Sequence, residues 1–444
     1  MRTDTAARHG RGRAMLGVGL AAVLAAGPAA AATRTPGAAT HDGHGAAGPP
    51  PASAALGGHR PAGLLRATAA DQAVRLQALL GQHSVLAADL MRSRIRGDDN
   101  FVQAADAALG QNTEAMTALI GQLFGAATAE RFGPMWSEHV VELVAYAAAV
   151  AAHDADARAH AREELIEYEE ELADFFAGAS HGRLSRSAAR GAILMHVDHL
   201  TQQADAYAEH DYATADKLYR QSYQHTYDLG LTLAYALLPG RDRAILREPI
   251  WRLRSQLGKL LAEHAVLVED VTRAAVTSAP DFTAAGEMIN GNTRDLAAAV
   301  DTLFGAPVAE KFQAVWAPHV EQLVAYAGAT AAEQPDRQQQ ARSALPDFEQ
   351  RLAALLAPAT GGRMTEAGLS AALQEHDRML LRHADAYAAR DYPQAQTIAG
   401  RTYEHMFELA RRLADGFGAE VASRLPRGGP ETGHGGLAGV VARR

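Results

Sequence analysis

The sequence repeats itself, and the repeat leaves few folds open. Phe124-Gly125, Trp136, Tyr146 and Asp205-Ala206-Tyr207 recur in the second half, at one constant offset, as Phe304-Gly305, Trp316, Tyr326 and Asp385-Ala386-Tyr387. A shorter period runs inside each half. His83, His139 and His196 are evenly spaced, and His264, His319 and His376 repeat that spacing almost unchanged. A fixed internal period reports the supersecondary unit before any local pattern does.

That unit is a helical hairpin. His196 and His225 have Glu209-His210-Asp211 midway between them. If 190–209 and 212–237 are antiparallel helices, the two histidines are equally far from the turn. A constant rise of about 1.5 Å per residue then sets them level. His196, Leu200 and Tyr207 form one apolar stripe, and His225, Leu229 and Leu233 another. Stripes of this spacing face a core. The earlier hairpins match: His139 precedes Leu143, Tyr146 and Val150, and its partner is Tyr168; His83 precedes Leu86 and Leu90, and its partner is Asn112. The second set pairs His264 with Asn292, His319 with Phe348 and His376 with His405.

The expected fold is therefore all-α, two tandem copies of a six-helix bundle of three antiparallel hairpins. The copies are assigned to residues 69–238 and 251–418, each large enough for its own core, with a linker at 239–250. Helices in the first copy are expected at 71–95, 100–123, 127–152, 155–177, 185–209 and 212–237, bounded by turn residues such as Gly97-Asp98-Asp99 and Phe124-Gly125. No segment sustains two-residue alternation, so no sheet is expected. Residues 33–68 and 419–444 are Gly/Pro/Ala-rich and read as a disordered linker and tail. Residues 1–32 read as a secretory signal peptide: Arg11 and Arg13 precede the apolar run Met15–Ala26, and Ala30-Ala31-Ala32 offers cleavage sites. The expectation is a secreted protein with no membrane span after signal removal.

Composition removes several function classes. A net charge of −9 with a pI near 6.1 leaves no electrostatic footprint for nucleic acid. The absence of cysteine excludes disulfides and thiolate metal sites. Gly178-Ala179-Ser180-His181-Gly182 matches a nucleophile elbow, but it joins two helices where that motif needs a strand.

The chemistry concentrates in a mid-height layer: His83, His139, His196 and His225 in one copy, with Asn112 and Tyr168, and His264, His319, His376 and His405 in the other, with Asn292. Buried imidazoles need partners. One solution is a metal. Imidazole ligates copper, zinc and haem iron, and no carboxylate shares the layer in both copies, which disfavours magnesium, calcium and di-iron. Another is a hydrogen-bonded layer that fixes hairpin register. A third is a catalytic base. Tyr168 becomes Phe348, so its hydroxyl is dispensable if both copies act alike. Trp136 and Trp316 are expected in a core or lid role. Asp89 and Asp270 correspond, but six residues past the histidine they fall on another face, where a solvated or capping role is expected.

Asn-Thr at 112–113 and 292–293, Trp-x-x-His at 136–139 and 316–319, and the late histidine pairs resemble a group of secreted helical-repeat proteins of Gram-positive bacteria that carry the label copper amine oxidase or its N-terminal domain. The resemblance covers both copies. It implies copper as a ligand. The Asn-Tyr-Asp/Glu and His-x-His motifs of the enzyme proper do not occur, so it implies no amine oxidation. The expected function is a non-enzymatic extracytoplasmic binding protein holding copper, with zinc or haem as alternatives, or else a structural module of the cell envelope.

Overall fold

A computed structural model of the chain describes residues 68–240 and 242–425. The expectations for residues 1–32 and 33–67, and for the tail beyond 425, lie outside them.

The described residues form twelve α-helices. The first copy holds α1 (Ala69–Arg96), α2 (Asp99–Phe124), α3 (Ala126–Ala151), α4 (Ala155–Ala179), α5 (Arg186–Ala208) and α6 (Tyr212–Leu237). The second holds α7 (Pro249–Thr277), α8 (Phe282–Phe304), α9 (Ala306–Ala331), α10 (Pro335–Leu356), α11 (Glu366–Ala388) and α12 (Tyr392–Ala422). Short polar residues start the helices by accepting an otherwise unpaired backbone N–H. Asp98 accepts from Phe101, Ser185 from Ala188, Asp211 from Thr214 and Asp391 from Gln394. The turns close on left-handed residues: His153, His181 and His210 take φ of 54°, 52° and 62° in the first copy. Those three histidines therefore serve connections and not the layer.

Consecutive helices pack as hairpins, and the first helices of the hairpins converge. α1 touches α3 and α5, α3 touches α5, and α7, α9 and α11 repeat the triangle. The odd-numbered helices form the inner layer in which the period places its histidines.

The linker does not separate two independent cores. The described residues form one compact unit, and one hydrophobic cluster runs from Leu86 and Leu143 through Leu261 and Val320 to Leu413. A second cluster gathers Leu80, Leu119, Phe132 and Leu233 with Trp251, the first aromatic of α7. Polar bonds stitch the junction. Tyr227 donates to the Ser255 carbonyl at 2.9 Å, Tyr223 to that of Lys259 at 3.0 Å, and Tyr403 to that of Ala78 at 2.9 Å. Ser255 Oγ donates to Gln77 at 3.0 Å, and Arg254 pairs with Asp71 at 2.7 Å.

Candidate metal centres

Each copy gathers three histidines at one buried point, and the two points have the same geometry. In the first, His83 of α1, His139 of α3 and His196 of α5 place one ring nitrogen each within 4.8 Å of the others; His264, His319 and His376 do so in the second. The Nε2 atoms of His83 and His139 lie 3.0 Å apart, and those of His264 and His319 3.2 Å. Ring centroids of His83 and His196 are 5.4 Å apart, those of His264 and His376 5.5 Å.

Aromatic walls hold the rings. Tyr168 of α4 stacks on His139 with centroids 4.4 Å apart and an interplanar angle of 10°, and Phe348 of α10 stacks on His319 at 4.0 Å and 8°. The exchange of Tyr for Phe keeps the contact and drops the hydroxyl, which has no hydrogen-bond partner on Tyr168. Trp136 and Trp316 pack edge-on against the histidine one turn later and lie 4.7 Å from His83 and His264. They are core walls. His319 Nδ1 bonds the Trp316 carbonyl, so that nitrogen carries the proton and Nε2 keeps its lone pair.

The fourth histidines stand apart. His225 Nε2 bonds the Ala192 carbonyl at 2.9 Å, and His405 Nε2 bonds that of Ala372 at 3.0 Å. Each acceptor lies four residues before the cluster histidine of the neighbouring helix, one turn away. Equal distance from the turn fixes height along a hairpin, but it leaves the direction around the helix axis free. Asn112 and Asn292 take the same clamping part. Asn112 Nδ2 donates to the Leu79 carbonyl and Gln82 Oε1, both at 3.0 Å, and Asn292 Nδ2 donates to the Leu260 carbonyl at 3.0 Å and Glu263 Oε2 at 2.9 Å. Neither amide reaches a histidine. In each hairpin the second helix is thus hydrogen-bonded or stacked onto the first, and the first supplies the cluster.

Burial keeps the clusters neutral. Desolvation pushes His139 and His319 down to about 3, against a smaller opposing pull from the Trp136 and Trp316 carbonyls. His83, His196, His264 and His376 are held well below the ordinary imidazole range, first by burial and then by the neighbouring imidazoles. Neutral imidazole is the ligating form. Both ring nitrogens of His196 and of His376 lack any hydrogen-bond partner although the residues are 4% and 2% exposed. A buried polar atom left unbonded costs about 1–3 kcal/mol. Converging ring nitrogens, with one wholly unpartnered ring in each cluster, fit a metal ion.

A second group of charged residues was not legible as a site. Asp89 and Asp270, expected on a solvated face, stand at the junction of the two copies, where they border a cavity of about 340 Å³. Their correspondence in the two halves was the available signal. The fusion of the copies, which buries that face, was not visible in one chain's periodicity.

No family model, curated protein or solved structure matches this chain.

Proposed function

We propose that the protein is a non-enzymatic, extracytoplasmic copper-binding protein with one site in each copy, formed by His83, His139 and His196 and by His264, His319 and His376. The observation that carries the reading is the pair of unpartnered, buried rings of His196 and His376 beside two imidazoles each. The donor set supports copper, and the cuprous ion in particular. Three neutral nitrogens bring no negative charge into a dry site, and the desolvation cost of an ion rises with the square of its charge. A monovalent ion therefore loses less on entering than zinc or another divalent ion. Contact of the His83 and His139 nitrogens at 3.0 Å leaves no plane between them for a haem. The pattern of residues 1–32 supports export, and among the described residues no helix is long and apolar enough to cross a membrane.

A second reading has one observation in its favour. The His83–His139 and His264–His319 bonds satisfy two nitrogens of each cluster by themselves, as in a buried layer that fixes register within a structural or interaction module of the cell envelope. X-ray absorption of the copper-loaded chain separates the two. The metal reading expects the scattering of three imidazole rings around each copper and no carboxylate ligand. Copper found only at exposed histidines, with the outer-shell signal of one ring, would leave the structural layer as the account.

A further inference from the structure

The two halves are not equal where they meet. Helix α6 of the first copy covers its side of the junction with large charged residues. Arg92 pairs with Asp216 at 2.8 Å and lies over the Tyr219 ring at 4.7 Å. Arg220 reaches Glu263 with two bonds, at 3.0 and 2.9 Å, and also bonds Asp295. It fills the space so closely that a Cβ on Gly291 would stand 2.8 Å from its Nη1. The equivalent places on α12 hold Gln396 for Asp216, Ala399 for Tyr219 and Gly400 for Arg220. The acids that hold Arg220 are replaced as well: Gln82 stands for Glu263 and Ala115 for Asp295. A Cβ added at Gly400 would meet nothing within 4 Å. The space so opened is the 340 Å³ cavity, bordered by α1, α2, α7, α11 and α12. Its mouth runs along the exposed residues Thr397, Arg401 and Glu404.

The lining is chemically unfinished. Of its four arginines, Arg92 is paired with Asp216, Arg273 with Asp270 and Asp281 at 2.8 and 2.7 Å, Arg96 donates to the Tyr207 hydroxyl at 3.1 Å, and Arg401 is exposed at the mouth. Asp89 and Glu269 form no ion pair among the described residues, and Glu269 Oε1 is buried without a hydrogen-bond partner. Asp270 has a side chain 9% exposed and one oxygen, Oδ2, with no partner. His383, 7% exposed, has its Nδ1 unpartnered. Burial and then repulsion by Asp270 push Asp89 up to about 7, which the nearby guanidinium groups do not offset. Burial and then repulsion by Asp89 push Glu269 up to about 8. A volume of this size is at the small end of ligand pockets and far above what one ion needs.

We propose that this junction cavity binds a small aliphatic amine as a cation, its ammonium groups held by the unpaired carboxylates of Asp89 and Glu269 with Asp270 and His383 as further hydrogen-bond acceptors. The first copy fills the equivalent space with its own guanidinium, Arg220, held by Glu263 and Asp295; the cavity lacks those two acids and offers Asp89 and Glu269 in their place. The site is independent of the histidine clusters.

The test is calorimetric titration of the full chain at pH 8 with 1,4-diaminobutane, and with succinate as a dianion of similar length. One diamine per chain with saturable heat is expected, and no heat from succinate. Gly400→Leu places an apolar side chain in the cavity without a charge change and is expected to weaken diamine binding at least tenfold. Asp89→Asn/Glu269→Gln keeps the volume and is expected to do the same, so the test survives a folding failure in either variant. His196→Ala should bind the diamine as the unaltered chain does. No saturable diamine binding, preference for succinate, or undiminished binding in whichever variant folds would overturn the proposal.

Discussion

His139 and His319 each face an aromatic ring of the next helix and touch a second imidazole, and His319 also donates from Nδ1 to the carbonyl three residues before. These contacts fix where one lone pair points. His196 and His376 have no such tether and gain most from a ligand. Replacing His196 by alanine is expected to abolish copper at the first site and leave the second, so the copper taken up per chain falls by half, measured by equilibrium dialysis. His225→Ala is expected to leave copper binding unchanged and to lower stability by about 1 kcal/mol for the lost bond to Ala192, read by denaturant unfolding. An equal loss of copper in both variants would contradict the assignment. The three cluster histidines were legible because the hairpin period puts them at one height on first helices. His225 shares that height, and its direction around the axis was not legible, because stripe membership is too coarse to tell one turn's neighbour from the next.

Helix boundaries follow from caps and turn residues, and the expected segments agree with the observed ones to within a few residues. The contacts between helices depend on backbone approach, which no periodicity reports. Gly230 of α6 is the sharpest case: a Cβ there would lie 2.6 Å from the Gln77 Cα of α1. Gly230→Ala must push these helices apart and is expected to cost about 1–3 kcal/mol. Gly400, also mid-helix but facing the cavity, has room, so Gly400→Ala is expected to stabilise by about 0.5–1 kcal/mol through helix propensity alone. Chemical denaturation of the pair checks both. Similar destabilisation in the two would mean that the cavity wall is closed.

At the scale of the molecule, the halves share one core, so charged groups read as surface become interior and set a pH optimum. Asp89 and Glu269 have pKa values raised from 3.8 and 4.5 to about 7 and about 8. A raised carboxyl contributes fully below its unfolded value, and that contribution is lost as pH rises through the folded one. The six cluster histidines act in the opposite sense. Their depressed values mean that their contribution is full above 6.5 and is lost as pH falls. The metal-free chain should therefore melt highest at roughly pH 6–7, and Asp89→Asn/Glu269→Gln should make the alkaline decline shallower, leaving the part due to Asp216 and Asp377, which burial also raises. An undiminished decline in that variant would show that Asp89 and Glu269 do not contribute to it. The measurement that bears most directly on the central claim is copper stoichiometry under reducing conditions, comparing the full chain with the His196→Ala/His376→Ala variant and with thermal melting of each. The account predicts two cuprous ions per chain and a higher melting temperature on loading, with no bound copper and no shift in a still-helical variant. Equal copper uptake by the two chains, or none by either, would contradict it.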